Sequence, residues 1–251
     1  MPKFFVDDNQ IEGSRISITG EDVNHITNVL RLKKDDYILV CDKQNSITYN
    51  SKIEEILKEK VVCKIENEIA KQVESKVKVS IFQGLPKADK MEYIIQKCTE
   101  LGAVEFILIA LKRCIVKLNG KDEAKKIERW QKIAEVASKQ SGRDMIPNVK
   151  NVITINKLKE EIEKFDLFIV AYEEEKEVTL KQILQANKDK ILEKESSKIG
   201  VVIGPEGGID KQEIDELKLC GAKIITLGSR ILRTETAPIA ITSNIMYEFE
   251  F

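Results

Sequence analysis

From residue 77 onward, strand-sized apolar runs alternate with amphipathic stretches at helical spacing, and this alternation constrains the fold more than any other feature. VKVSIFQGL (77–85), VEFILIAL (104–111), DLFIVAY (166–172), IGVVIG (199–204) and AKIITLG (222–228) are mostly apolar and short, which suits strands buried on both faces. Between the first two, Met91, Ile94, Ile95, Cys98 and Leu101 share one helical face, with Asp89 and Glu92 at N-cap and N3 spacing and Gly102 at the C-terminal end. Farther on, Ile127, Trp130, Ile133, Ala134 and Ala137 form a second inward stripe, with lysines on the opposite side. DKQEIDELKLCG and PIAITSNIMYEF read as further helices, the first opened by an Asp210/Glu213 capping box and the second by Thr236, with Pro238 in its first turn. Parallel strands need crossovers, so strand–helix alternation predicts an α/β domain with a mostly parallel sheet.

The first seventy residues carry a different pattern. RISITG, YILVCD and KVVCKIEN alternate or are β-branched, whereas Val23, Ile26, Val29 and Leu30 have helical spacing. A small β-barrel or curled sheet with one helix is expected over residues 1–70. IAKQVESK (69–76) reads as a linker and residues 77–251 as the second domain, with 188–198 an exposed charged loop.

Charge narrows the function. The net charge of −1 excludes a binder that works by bulk electrostatics. Residues 84–150, however, hold 14 Lys/Arg against 9 Asp/Glu, while residues 201–251 hold 5 against 8. A basic segment in a balanced chain suits a phosphate backbone, or is simply a solvated helix face. Five scattered cysteines form no CxxC pair, and the N-terminus shows no signal-peptide hydrophobic region, so a reducing cytosol is expected. A single histidine, His25, and dispersed acids form no metal-ligand spacing, and no GxSxG is present.

Ligands of open α/β sheets bind beyond the carboxyl ends of strands. Three such ends stand out: VAYEEEKE (170–177) after DLFI, and two that contain glycine. IGPEGG, with Ile203, Gly204, Pro205, Gly207 and Gly208, lets backbone approach a ligand, but it is neither a dinucleotide fingerprint nor a phosphate loop. Glu206 repels phosphate and favours a ligand with cationic character. The third end, ITLGSRILRTETAP, is long and charged for a strand-to-helix connection. Leu227, Gly228, Ile231 and Leu232 offer an apolar wall with free main-chain groups, and Arg233, Thr234 and Glu235 offer polar contacts at the helix entrance. The alternatives are a plain tight turn and a surface loop whose arginines pair with Glu206 and Glu235.

IGPEGG followed by LGSRILRTETA resembles the RsmE family of 16S ribosomal RNA uracil-N3 methyltransferases, within the SPOUT superfamily. HITNVLR (25–31), KADKMEYIIQKCTELG (87–102) and RWQKIAEVASKQSGR (129–143) resemble further elements of that family in the same order, so the likeness spans nearly the whole chain. The resemblance implies a PUA-like barrel followed by an α/β trefoil-knot domain, a homodimer, no membrane, and S-adenosylmethionine as methyl donor. It implies a cofactor cradle at Ala171, Tyr172, Ile203, Gly204, Pro205, Gly207, Gly208, Leu227, Gly228, Ile231 and Leu232. It implies catalytic roles for Arg233, foremost, with Thr234 and Glu235. RNA, as 16S ribosomal RNA or the assembled small subunit, is expected to meet Lys3, His25, Arg31, Lys87, Lys90, Arg113 and Arg143. Lys3 stands where the family often has arginine and lacks the bidentate fork. Ile241, Ile245 and Met246 on the final helix belong either to the dimer interface or to the core. A SPOUT enzyme methylating a ribose 2′-hydroxyl, or a ribosome-assembly protein without catalysis, are the competing readings.

Overall fold

The computed structural model describes residues 1–69 and 73–250; of the linker expected over 69–76, residues 70–72 lie outside the described residues. The chain divides into two compact units, Met1–Glu74 with Ser138–Ile146, and Ser75–Ala137 with Pro147–Phe251.

In the first unit, β1 (Lys3–Val6), β2 (Ile11–Glu12), β3 (Arg15–Thr19), β4 (Tyr37–Asp42), β5 (Ile47–Ile56) and β6 (Lys60–Glu68) form one curled sheet in the order β1-β4-β5-β6-β3-β2. Only β1 and β4 pair in parallel. Alternation turns Ile16, Ile18, Ile38, Val40, Ile53, Val61 and Cys63 to one apolar core, which Val23 and Ile26 complete. Those two come from α1 (Glu21–Asn24) and the five-residue π-helical turn His25–Val29 that continues it. The chain leaves that turn through Arg31 at a φ of +54°. Such wide turns in a helix occur mostly where function needs an altered side-chain direction.

The segment Ser138–Ile146 joins this unit through buried ion pairs that no local pattern announced. Lys3 Nζ donates to Gly142 O at 3.1 Å, Arg143 O at 3.0 Å and Asp144 Oδ1 at 2.5 Å. Asp144 also accepts from Thr48 Oγ1 at 2.5 Å and from the Val73 N–H at 3.1 Å. Burial pushes the Asp144 carboxyl up, but Lys3, Thr48 and that N–H outweigh it and hold the group below its ordinary value. Arg143 meets Glu74 through two nitrogens, at 2.6 and 3.2 Å. Lys3 and Arg143 are therefore corrected: both are buried and committed to carboxylates of their own unit, with no free face for RNA.

In the second unit, β7 (Val77–Gly84), β8 (Ala103–Ala110), β9 (Asn148–Thr154), β10 (Leu167–Ala171), β11 (Ser197–Ile203) and β12 (Lys223–Ile225) form a wholly parallel sheet in the order β12-β10-β11-β7-β8-β9. Its edge strand β9 was not anticipated, because Asn148, Lys150 and Asn151 break the apolar run. The helices are α2 (Lys90–Glu100), α3 (Gly120–Ser141), α4 (Ile155–Ile162), α5 (Leu180–Ala186), α6 (Lys188–Leu192), α7 (Lys211–Leu219) and α8 (Thr236–Phe249). The charged stretch 188–198 is thus not a loop but α6 and the start of β11. Asp210 and Glu213 form the expected capping box on α7. Asp89 makes no side-chain cap, and Glu235 rather than Thr236 occupies the N-cap of α8.

Phe82, Ile109, Phe168, Val170, Val202, Ile214 and Leu217 anchor the core on one side of the sheet. Helix α8 packs on α2, β7 and β11, which buries Ile241, Ile245 and Met246 within their own chain. Of the two readings for these residues, their burial fits the core. Trp130 and Cys98 are buried as their stripes required, whereas Cys220 is exposed at the end of α7. No helix among the described residues is long and apolar enough to cross a membrane.

Candidate functional site

Strands β12, β10 and β11 are consecutive in the second sheet and all point the same way, so their carboxyl ends open side by side. The β10 end is tied to its neighbour by the Tyr172 N–H on Ile225 O at 3.0 Å. Past β12 the chain stays extended: Thr226 N–H donates to Val178 O at 2.8 Å, and Leu180 N–H donates to Thr226 O at 3.4 Å. The loop that follows is pinned again at its far end. Thr234 Oγ1 donates to Gly204 O at 2.7 Å and accepts from Gln83 Nε2 at 3.0 Å. Gln83, at the end of β7, was missed; a glutamine inside an otherwise buried strand run was the available signal.

Two fixed ends hold the intervening loop open over a cavity of about 930 Å³. Ala171, Tyr172, Ile203, Gly204, Pro205, Gly207, Gly208, Leu227, Gly228, Ile231 and Leu232 all line it. So do Thr179, Thr226, Ser229 and Ala237, which sequence reasoning did not single out. Among the described residues no hydrogen bond engages the N–H groups of Leu227, Ser229, Ile231 or Leu232. Main-chain donors left open beside apolar side chains suit a flat heterocycle read along its edge. Gly228 has a φ of +107° and only open space where a Cβ would stand. Gly208, at +71°, carries the Glu173 carboxylate so closely that a Cβ would lie 1.9 Å from its Oε1. Burial first, then the Glu174 and Glu173 carboxylates, push the Tyr172 phenol up to about 12, so it stays protonated.

The polar rim is unevenly committed. Lys90 ion-pairs with Glu206 at 2.8 Å and Glu235 at 3.3 Å. Its ammonium is held above its ordinary value chiefly by the Glu206 hydrogen bond. Burial raises the Glu206 carboxyl, but Lys90 and two backbone N–H groups, that of Lys87 among them, bring it below the usual range. Lys90, expected to meet RNA, therefore lines the cavity instead and links the turn after β11 to the start of α8. Thr234 is buried, and its hydroxyl donates once and accepts once in pinning the loop. Arg233 is 81% exposed at its side chain, and among the described residues its only ion pair is a long one of 4.0 Å to Glu235. Arg113 donates to Gly207 O at 3.2 Å, bracing the glycine turn from outside, and the Lys87 side chain is exposed. His25 and Arg31 lie in the first unit, both exposed, with the His25 ring edge-on to Phe4 at 5.9 Å. The described residues contain no cluster of His, Cys, Asp and Glu able to hold a metal.

Two family models match the chain, one over each unit. A model described as an RNA methyltransferase domain covers residues 73–246, and one described as an RNA methyltransferase PUA domain covers residues 18–66. The chain belongs to this RNA methyltransferase family. It is 39% identical to the ribosomal RNA small subunit methyltransferase E of Bacillus subtilis, over 100% of this chain and 98% of that protein. It is 32% identical to the protein of the same name from Mesomycoplasma hyopneumoniae, over 95% and 96% of the two chains. The crystal structure of the Neisseria gonorrhoeae ribosomal RNA small subunit methyltransferase E bound to S-adenosyl methionine is similar at a TM-score of 0.84 and 28% identity, over 98% and 97% of the two chains.

Proposed function

We propose that this chain transfers a methyl group from S-adenosylmethionine to N3 of a specific uridine in 16S ribosomal RNA. The observation that carries the reading is the cavity at the three strand ends, with unengaged main-chain N–H groups beside Leu227, Ile231 and Leu232. The residues fit the cofactor. Apolar and main-chain surface is offered for an adenine, and the Gly204–Gly208 turn packs closely, with the Glu206 and Glu173 carboxylates standing there together with Arg113 and Lys90. S-adenosylmethionine, when bound, supplies a methyl group already activated on a sulfonium, so the protein's task is alignment and desolvation.

The division of labour among this chain's residues follows from their surroundings. Leu227, Ile231 and Leu232 would hold the adenine, and Ala171 and Tyr172 close the β10 side. Thr234 and Gln83 keep the loop at its height above β11 and β7. Arg233, exposed and weakly paired, is the group free to meet RNA and to stabilise the negative charge that uracil acquires when N3 loses its proton. Glu235, anchored by Lys90 and two residues farther along the chain, stands 4.0 Å from that guanidinium and leaves it free to move. The exposed cations Lys87 and Arg113 in the second unit, and His25 and Arg31 in the first, would contact phosphate or base edges of the RNA. The 1–70 region would serve as the RNA-binding domain and 77–251 as the methyltransferase domain of a cytoplasmic homodimer acting on rRNA or the assembled small subunit.

The test is calorimetric titration with S-adenosylmethionine, followed by mass-spectrometric mapping of nucleosides in 16S rRNA and in small subunits incubated with enzyme and labelled donor. The expected product is one N3-methyluridine. A 2′-O-methylated ribose would reassign the acceptor, and absence of cofactor affinity would remove the enzymatic reading. Sedimentation equilibrium checks the dimer.

A further inference from the structure

Gln83 departs from the pattern of its own strand. Alternation puts it on the same side of β7 as Val79 and Ile81, both fully buried and apolar, and its register partners are Ile203 on β11 and Leu108 on β8. Packing there asks for an aliphatic side chain. Instead the position holds a glutamine with no exposed surface, and only one end of its amide is engaged. Nε2 donates to Gly84 O at 2.9 Å, to Thr234 Oγ1 at 3.0 Å and, at the longer distance of 3.4 Å, to Gly204 O. Oε1 is buried and has no partner among the described residues. A buried amide oxygen left so costs stability. A side chain that breaks the local pattern without a full set of partners is one kept for function.

Its contacts show what that function is. Gly204 opens the glycine turn and Thr234 closes the pinned loop; both line the cavity, whereas Gln83 lies outside the lining. Thr234 follows Arg233, whose carbonyl is itself taken by the Thr236 and Ala237 N–H groups at 2.9 and 3.0 Å. The backbone that carries the Arg233 side chain is therefore fixed from two directions, by the first turn of α8 and, through Thr234, by Gln83.

We infer that Gln83 is a positioning residue for methyl transfer: acting through Thr234, it holds the Arg233 backbone in place against the Gly204 turn, and it serves the chemical step rather than stability. The inference rests on the function proposed above. In that step the uracil N3 gives its proton to solvent and bonds to the methyl carbon, while the carbon–sulfur bond breaks and its electron pair stays on the thioether product. A misplacement of about 1 Å in such a geometry costs about 10²-fold in rate.

The experiment compares full-length wild type, Gln83→Leu and Gln83→Met. Its readouts are the single-turnover rate of transfer from saturating labelled S-adenosylmethionine to 16S rRNA, free and in small subunits, the affinity for S-adenosylhomocysteine, and the melting temperature. Both variants are expected to slow transfer about 10²-fold while affinity stays within about threefold. They should melt within about 5 °C of the wild type, because an apolar side chain of similar size removes the unpartnered oxygen. A rate within about twofold of the wild type overturns the inference. So does a larger fall in melting temperature, or failure of both variants to fold, since the residue would then serve the fold. Thr234→Val combined with Gln83→Leu is expected to be no slower than the slower single variant, and losses that multiply overturn the route through Thr234. A wild type that transfers no methyl group overturns the proposed function itself, and does so without any variant.

Discussion

Lys3 and Lys90 each sit among carboxylate oxygens, one in each unit, and burial makes them opposites. The Lys3 and Asp144 side chains are 4% and 8% exposed, and the ammonium is saturated by two carbonyls and a carboxylate. Lys90 and Glu206 are each 27% exposed at the edge of a cavity, with Glu235 at 18%. In the first cluster, water cannot replace a missing partner, so the pair is obligatory once formed. In the second, Lys90 and Glu206 are in reach of water, although Glu235 Oε2 is itself buried, so the Lys90–Glu206 attraction is screened and cheap to rearrange. A lysine of the first kind holds a fold together. One of the second kind suits a rim that must accommodate a ligand. Sequence alone could not separate the two, since both are lysines near aromatic or apolar residues.

The largest effect that can break this contrast is Lys3→Met. Leaving Asp144 buried without its cation should cost about 3–5 kcal/mol in denaturant unfolding. A loss below about 1 kcal/mol would place Lys3 with the screened pairs. The same pair predicts an acid limb. Because the folded Asp144 value is depressed, its stabilisation is complete above the ordinary value of 3.8 and is lost as pH falls through the lower folded value. That limb should be present in the wild type and absent from Lys3→Met. Next in size is Arg233→Ala, expected to slow methylation about 10²–10³-fold while melting temperature and cofactor affinity stay unchanged, because the guanidinium contacts nothing structural. Undiminished turnover would remove its proposed role. Thr234→Val leaves Gly204 O and Gln83 Nε2 without the hydroxyl that joins them. It should cost about 1–3 kcal/mol, read as a lower melting temperature together with weaker cofactor binding. Smallest is Lys90→Met, expected to change stability by less than about 1 kcal/mol. If it destabilised as much as Lys3→Met, the distinction between the clusters would fail.

Much of the architecture was legible because the interior is patterned at two periods. Buried runs such as DLFIVA and IGVVI can only be central strands of a covered sheet, and the stripe Met91, Ile94, Ile95, Cys98 can only be a helix on it. Where polar residues interrupt the pattern, the reading lapsed. Strand β9 is half polar because one side meets solvent, and α6 is a single charged turn held by Ile191. The eleven residues expected around the cofactor line one cavity because glycine turns and an overlong loop at strand ends are local features with a known place in parallel sheets. Gln83 escaped notice because its significance is relational: it matters for reaching Thr234, 151 residues away.

Local pattern, then, determined the strands and helices, the two kinds of unit and the turns that meet at one end of the sheet. Period and backbone freedom are written residue by residue, so these required no knowledge of distant neighbours. Only the folded chain decided which charges are free. Arg143 was recruited to Glu74 and Lys3 to Asp144, while Arg233 was left in solvent. The reason is that a charge's fate depends on desolvation and on partners far away in sequence, and both exist only once the chain has closed upon itself.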